Sequence, residues 1–250
     1  MESILQGGEI KMEKGNLLYE GKAKKIYETD NPEELIVHYK DDATAFDGKK
    51  KGQIKAKGKY NLEISNIFFM LLEDHDVKTH LIRQVNETDL LVKKVDIIPV
   101  EVVLRNVAAG SLADRLGLEE GTELNRPILE YYYKSDELGD PLINRYHIAE
   151  RELATEGQLK LLDILGFKIN NILKDYLEER DIKLIDFKLE FGVDSNDNIL
   201  LADEISPDTC RFWDMKTDKK LDKDRFRRDL GGVVEAYQEI LKRLKQDVIG

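Results

Sequence analysis

The chain has 250 residues, of which 41% are hydrophobic and 36% are charged, and its formal net charge is −11. This length suffices for one large domain or two small ones with a hydrophobic core, and the acidic balance argues against non-specific nucleic-acid binding. The single cysteine, Cys210, excludes an internal disulfide framework and is typical of a reducing compartment. No apolar run approaches the roughly 20 residues that span a bilayer. Residues 1–14 are predicted to be a polar tail rather than a signal peptide. We therefore expect a cytoplasmic globular protein with neither a membrane nor a nucleic acid as partner.

The first elements in chain order predict a small, mainly antiparallel β unit with one helix, which we assign to residues 15–95. Apolar residues at helical spacing predict a helix over residues 58–73. Short β-rich runs bounded by turn residues predict strands at 16–19, 26–29, 34–39, 79–84 and 90–94.

Residues 96–250 predict a larger lobe with mixed elements. Strands are expected at 97–105 and 131–133, and a short helix at 111–116 with Ser111 as its N-cap. Thr155 and Gln158 form a capping-box pattern at the head of a long helix. A closing helix is expected over residues 223–245, with Leu230 in its buried stripe. The order of elements indicates an α+β fold with two lobes.

A charged hairpin in the second lobe is the strongest functional signal. Read as a strand, residues 184–192 place Asp186, Lys188 and Glu190 on one face and apolar residues on the other. If the following turn is centred on residues 196–197, Glu190 lies directly opposite Asp203, with Cβ atoms about 5 Å apart. Two carboxylates that close repel each other unless a cation lies between them, and Mg²⁺ carrying a nucleotide phosphate is a usual solution. The alternative is a solvated hairpin with ordinary charge pairs.

Two other segments indicate anion binding. Residues 21–24, Gly-Lys-Ala-Lys, form a predicted turn whose backbone N–H groups and lysines suit a phosphate, although the segment is not a Walker A loop. A plain hairpin turn is the alternative. Arg105 follows a buried strand and Ser111 opens a helix, which together suit a phosphate; an ordinary strand-to-helix turn is the alternative. Arg211 suits a substrate carboxylate or phosphate, or else pairs with Asp208.

Five segments, in order along the chain, resemble the SAICAR synthetase family. Residues 97–111 and 184–192 resemble its two signature segments, and residues 19–24, 203–208 and 224–227 resemble shorter ones. The similarity extends from about residue 17 to residue 244. The resemblance implies a two-lobed α+β fold with an ATP site in the cleft. It also implies an ATP- and Mg²⁺-dependent ligase that joins L-aspartate to the carboxylate of CAIR in purine synthesis. A homodimer is the expected assembly, and a small-metabolite kinase using the same cleft is the alternative function.

The resemblance also implies roles for individual residues. Catalysis is assigned to Lys188 and Asp186, with Asp186 orienting Lys188 or a substrate group. Magnesium is assigned to Glu190 and Asp203. The residues expected at ATP are Gly21, Lys22, Ala23, Lys24, Lys93, Glu190 and Asp203, with the adenine between the lobes near residues 93–97. The residues expected at CAIR are Arg105, Ser111, Lys188, Asp208 and Arg211. Asp47 and Arg225 are candidates for the aspartate site.

Overall fold

The first lobe is built around an antiparallel sheet. The structure, a computed structural model, describes residues 13–45 and 50–246. Five strands pair in the order β1-β2-β3-β7-β6: β1 (Leu17–Glu20), β2 (Lys24–Glu28), β3 (Glu34–Tyr39), β6 (Leu81–Gln84) and β7 (Asp89–Lys93). Helix α1 (Lys57–Glu73) follows a separate hairpin of β4 (Asp42–Ala45) and β5 (Lys50–Gln53), which was not predicted. The predicted antiparallel unit with one helix is confirmed.

The second lobe is organised around one long strand, β12 (Ile182–Val193). Its sheet has the order β11-β10-β9-β12-β13, and two further strands also pair with β12. The other strands are β8 (Asp96–Ile97), β9 (Val100–Val107), β10 (Glu123–Tyr133), β11 (Leu142–Ile143), β13 (Ile199–Ala202) and β14 (Cys210–Asp214). The helices are α2 (Ser111–Leu116), a 3₁₀ turn (Asp136–Leu138), α3 (Arg145–Glu150), α4 (Glu156–Glu178), α5 (Asp224–Arg227) and α6 (Val233–Leu244). Because four strands contact β12, its polar side chains meet groups from distant parts of the chain.

The apolar face of β12 lies in the core, as its alternation predicts. Phe187, Leu189 and Phe191 are at most 1% exposed, and α4 packs across β12 and β9. Helix α4 begins at the predicted capping box, in which Thr155 accepts from the backbone N–H of Gln158 and the Gln158 side chain accepts from that of Thr155. The buried face of β12 thus anchors the strand while its other face carries the charged residues.

The predicted closing helix over residues 223–245 is confirmed only in its second half, where α6 buries Tyr237, Ile240, Leu241 and Leu244. The first half instead forms the short helix α5, which is separated from α6 by a loop that ends at Gly231 and Gly232, with φ of 65° and 60°. Glycine adopts this left-handed conformation without steric cost but weakens a helix interior by about 1 kcal/mol relative to alanine. Leu230, placed in the buried stripe, is 48% exposed.

The two lobes meet between β7 and β8. Strand β7 ends at Lys93 in the first sheet, and β8 begins at Asp96 and pairs with β12 in the second lobe. The predicted boundary between residues 95 and 96 falls in this connection and stays a prediction. In the described part of the chain, no helix combines the length and apolar character needed to cross a membrane.

Candidate active site

The register of the charged hairpin differs by one residue from the prediction. Glu190 pairs with Ala202 rather than with Asp203. The turn is longer than expected because the Asp194 side chain accepts from the backbone N–H of both Asn196 and Asn198, each at 2.9 Å. Asp203 follows β13 with φ of 60°, a left-handed conformation that aspartate tolerates better than most residues. The chain therefore leaves strand geometry at Asp203, and both carboxylates line the same cavity.

This cavity has a volume of about 640 Å³ and is lined by both lobes. Its apolar part includes Ile26, Val37 and Val92. Residues 93, 95 and 97, from the segment where the adenine was expected, also line it. The predicted site residues that line it are Gly21, Lys22, Ala23, Lys24, Lys93, Lys188, Glu190, Asp203 and Asp208. The cavity is large enough for a nucleotide-sized ligand.

Lys24 joins the predicted phosphate turn to the charged hairpin. The turn is closed by the backbone N–H of Gly21, which donates to the carbonyl of Lys24 at 2.9 Å. The Lys24 ammonium group forms an ion pair with Asp203 and another with Glu204 at 3.1 Å. Burial lowers the pKa of Lys24, but these carboxylates outweigh it and hold the pKa above its ordinary value. Burial likewise raises the pKa of Asp203, and Lys24 and Lys188 outweigh it, so Asp203 stays ionised.

Lys188 lies between two buried carboxylates. Its Nζ is 2.7 Å from Glu101 Oε1 and 2.5 Å from Glu190 Oε1. Burial lowers the pKa of Lys188, but Glu190, Asp203 and Glu101 together raise it well above its ordinary value. Glu190 also binds Lys134 Nζ at 2.9 Å. The roles of Glu101 and Lys134 were missed, because they depend on how β9 and β10 assemble beside β12.

Asp186 holds two arginines together. It is paired with Arg105 on β9 and with Arg211 on β14, one on either side of β12. The Arg105 guanidinium donates to Asp186 Oδ2 at 2.7 Å, and that of Arg211 donates to the same oxygen at 2.8 Å. Asp186 is 4% exposed. These contacts show that Asp186 orients the two arginines, whereas the hydrogen bonds of Lys188 go to glutamates.

The arginines lie beside the start of α2. Arg105 Nη2 donates to Ser111 Oγ at 3.3 Å, so these two predicted residues meet. Ser111 is not the N-cap, however: Gly110 caps the helix with φ of 50° and Ser111 is its first residue. A Cβ at Gly110 would be 2.7 Å from Arg211 Nη2, so the missing side chain leaves room for that guanidinium. Arg211 binds Asp224 at 3.0 Å, and the suggested pair with Asp208 does not form.

Two of the predicted site residues bind other groups of the protein, and a third lies outside the described residues. Asp208 is 4% exposed through its side chain and is held by Lys57, Tyr237 and Lys223. The Arg225 guanidinium donates to backbone carbonyls in the loop between α5 and α6 and at Lys220, so it stabilises that loop. Asp47 lies outside the described residues. The aspartate role of Arg225 and Asp47 stays a prediction.

The hairpin carboxylates suit magnesium. Glu190 and Asp203 supply oxygen ligands in one cavity, and Mg²⁺ is commonly bound by one or two carboxylates together with waters and substrate phosphates. Among residues 13–45 and 50–246, no group of three or more acidic, histidine or cysteine side chains forms a complete metal cage. The donor set therefore fits an ion that arrives with a nucleotide and takes part of its coordination from it.

Known proteins resemble the chain over most of its length. The model of the SAICAR synthetase family matches residues 17–244. The chain belongs to the SAICAR synthetase family.

Relatives and solved structures of the family agree in sequence and shape. A phosphoribosylaminoimidazole-succinocarboxamide synthase from Coprothermobacter proteolyticus is 58% identical over 93% of this chain and 99% of its own. The crystal structure of the enzyme of that name from Ehrlichia chaffeensis matches with a TM-score of 0.90 and 48% identity, covering 94% of this chain and all of its own. A SAICAR synthetase solved in complex with ADP matches with a TM-score of 0.89 and 54% identity, and the match covers 93% of this chain and 99% of that one. The two-lobed α+β fold is thus shared with SAICAR synthetases.

Proposed function

We propose that the chain is an ATP-dependent ligase that joins L-aspartate to the carboxylate of CAIR, giving SAICAR, ADP and phosphate in purine biosynthesis. Membership of the SAICAR synthetase family supports this function. The structural observation that carries it is the ion pair of Lys24 with Asp203, which brings a phosphate-binding turn against a carboxylate hairpin. Lys188 lines the same cavity.

The chemistry requires that a carboxylate be made reactive. An oxygen of the CAIR carboxylate takes the γ-phosphoryl group of ATP, and ADP leaves. The aspartate amine then attacks the acyl carbon and loses a proton, and phosphate departs with the former carboxylate oxygen. Overall, a C–O bond of the carboxylate is replaced by a C–N bond, and the γ-phosphoryl group passes from the ADP portion of ATP to that oxygen. Phosphoryl transfer of this kind depends mostly on positioning and on neutralising charge. Lys188, which its neighbouring carboxylates keep protonated, stabilises negative charge at the transferring group.

Magnesium is held by Glu190 and Asp203 in this proposal. When bound, the ion neutralises charge on the nucleotide phosphates. Lys24 pairs with Asp203, and Lys134 pairs with Glu190. Because both lysines line the same cavity as these carboxylates, they are also placed to contact the phosphate oxygens of ATP. Gly21 and Ala23 line the cavity beside them and let the backbone approach the phosphates closely.

The CAIR phosphate is bound by Arg105, Arg211 and Ser111. Asp186 accepts from both guanidinium groups, and Arg105 also donates to the Ser111 hydroxyl. Arginine is well suited to planar, bidentate phosphate recognition. Asp186 acts here as a positioning residue. Its own carboxylate is engaged by both arginines, which supports a role through them rather than direct contact with the substrate.

The test is product formation by the purified protein with Mg²⁺, ATP, CAIR and L-aspartate. We expect SAICAR, and ADP in equal amount, only when all components are present. The absence of a succinocarboxamide product would refute the ligase. Transfer of phosphate to a stable acceptor without aspartate would instead identify a small-metabolite kinase.

We further propose that the enzyme is a homodimer in the cytoplasm. The exposed face of α4 carries Leu161, Ile164 and Phe167 at 38%, 64% and 40% exposure, a pattern that suits burial against a second copy. The free, buried Cys210 suits a reducing compartment. Sedimentation equilibrium tests the dimer, and Ile164→Glu should dissociate it; cell fractionation tests the location.

A further inference from the structure

A cluster of two lysines, one aspartate and one tyrosine lies against the cavity. Lys57 Nζ is 2.7 Å from Asp208 Oδ2, and Lys223 Nζ is 3.4 Å from the same oxygen. The Tyr237 hydroxyl donates to Asp208 Oδ1 at 2.7 Å. The side chains of Lys57 and Asp208 are 1% and 4% exposed. Two ammonium groups therefore share one buried carboxylate.

Lys223 is the more weakly held of the two lysines. It lines the cavity beside Thr209, and its side chain is 12% exposed. Burial and the proximity of Lys57 hold the pKa of Lys223 below its ordinary value, against the opposing effect of Asp208. Lys223 shares its carboxylate partner with Lys57. Binding of an additional anion would stabilise it, because a buried charge without full compensation is energetically costly.

Three further lysines of the cavity, Lys24, Lys134 and Lys188, differ in this respect. Lys24 has Asp203 and Glu204, Lys134 has Glu190, and Lys188 has Glu101 and Glu190, all within 3.1 Å. These three lysines therefore have four carboxylates between them. The two lysines of the Asp208 cluster instead share one carboxylate oxygen, at 2.7 Å and 3.4 Å, and Glu204 is a further carboxylate that acts on Lys223.

The substrates present a limited set of anionic groups. The proposed function already provides residues for the ATP phosphates, the CAIR phosphate and the CAIR carboxylate. The two carboxylates of the amino-acid substrate remain. We propose that Lys223 binds a carboxylate of L-aspartate and helps to select a dicarboxylic amino acid. This assignment rests on the proposed ligase function.

The first experiment measures steady-state kinetics of Lys223→Met. Loss of a charge-assisted hydrogen bond should raise KM for L-aspartate roughly 10-fold to 100-fold, while KM for ATP and CAIR changes less than about twofold. Lys223→Arg, which keeps the charge, should lose less. Lys216→Met is the matched control, because it removes a lysine that is 72% exposed and pairs with Asp181. An unchanged KM for aspartate, or a larger rise for CAIR, would overturn the assignment.

A second measurement uses the unaltered enzyme and avoids any folding defect. Succinate, a dicarboxylate without the amine, should bind the complex with ADP and CAIR and protect Lys223 from acetylation, as read by peptide mass spectrometry. Lys216 should remain unprotected. Equal labelling of Lys223 with and without succinate would refute the proposal. Failure of the wild-type enzyme to form SAICAR would refute the ligase function itself, so the two failures are distinguishable.

Discussion

Replacing Lys188 by methionine removes the ammonium group at the centre of the site while keeping most of the side-chain volume. Glu190 would keep Lys134 at 2.9 Å. Glu101 would lose Lys188, its ion-pair partner at 2.7 Å. The substitution therefore has two separate consequences: less positive charge at the transferring phosphoryl group, and one buried carboxylate without its cation.

The two consequences have different magnitudes and different assays. Loss of an electrostatic group of this kind lowers kcat by about 10²-fold to 10³-fold, or about 2.7 to 4 kcal/mol. Breaking a buried ion pair costs about 3 to 5 kcal/mol of unfolding free energy, and protonation of the remaining carboxyl limits this cost. Affinity for ADP, measured by calorimetry, should stay nearly normal because Lys24 and Asp203 remain.

The stability cost should depend on pH in a defined direction. Burial already raises the pKa of Glu101, and Lys188 opposes that shift, so the variant raises it further. A carboxyl whose folded pKa exceeds its unfolded value of about 4.3 destabilises the protein only as pH rises through that interval. The deficit of Lys188→Met should therefore be small near pH 4 and grow toward pH 8.

The double variant Lys188→Met/Glu101→Gln separates the two effects. Glutamine removes the unpaired charge, so we expect much of the lost stability to return while kcat remains low. Turnover of Lys188→Met within about fivefold of the wild type would refute the role of Lys188. Recovery of kcat in the double variant would show that the lysine acts only by neutralising Glu101.

Three further predictions follow from other parts of the site. Asp203→Asn should weaken Mg²⁺-dependent ADP binding about 10-fold, measured by calorimetry with and without the metal; equal affinity in both proteins would remove Asp203 from the metal site. Arg105→Met should raise KM for CAIR at least about 10-fold and leave KM for ATP nearly unchanged, and the reverse pattern would contradict the phosphate assignment. Burial and then Asp224 raise the pKa of Asp222 to about 7, so its contribution to stability is full below about pH 4 and is lost as pH rises through 7. The unfolding free energy of the wild type relative to Asp222→Asn should accordingly decrease between pH 5 and pH 8, and a pH-independent difference would exclude this linkage.

Local patterns predicted much of the fold and part of the site. The alternation along β12 correctly separated its charged face from its buried face, and Thr155 correctly marked the start of α4. The hairpin register failed by one residue, because the Asp194 side chain stabilises a longer turn than the pattern suggests. The closing helix was predicted about ten residues too long, because its apolar spacing continues across Gly231 and Gly232, where the helix is interrupted.

The amino-acid sequence determined which residues carry charge on the central strand and which family the chain resembles. Both depend on the order of residues in short segments, and order is visible without a structure. Tertiary structure decided which charges meet. Asp186 holds Arg105 and Arg211 only because β9 and β14 flank β12, and Lys223 shares Asp208 with Lys57 only because α1 reaches the second lobe. Such pairs join residues far apart along the chain, so their energies depend on packing and burial that no local pattern encodes.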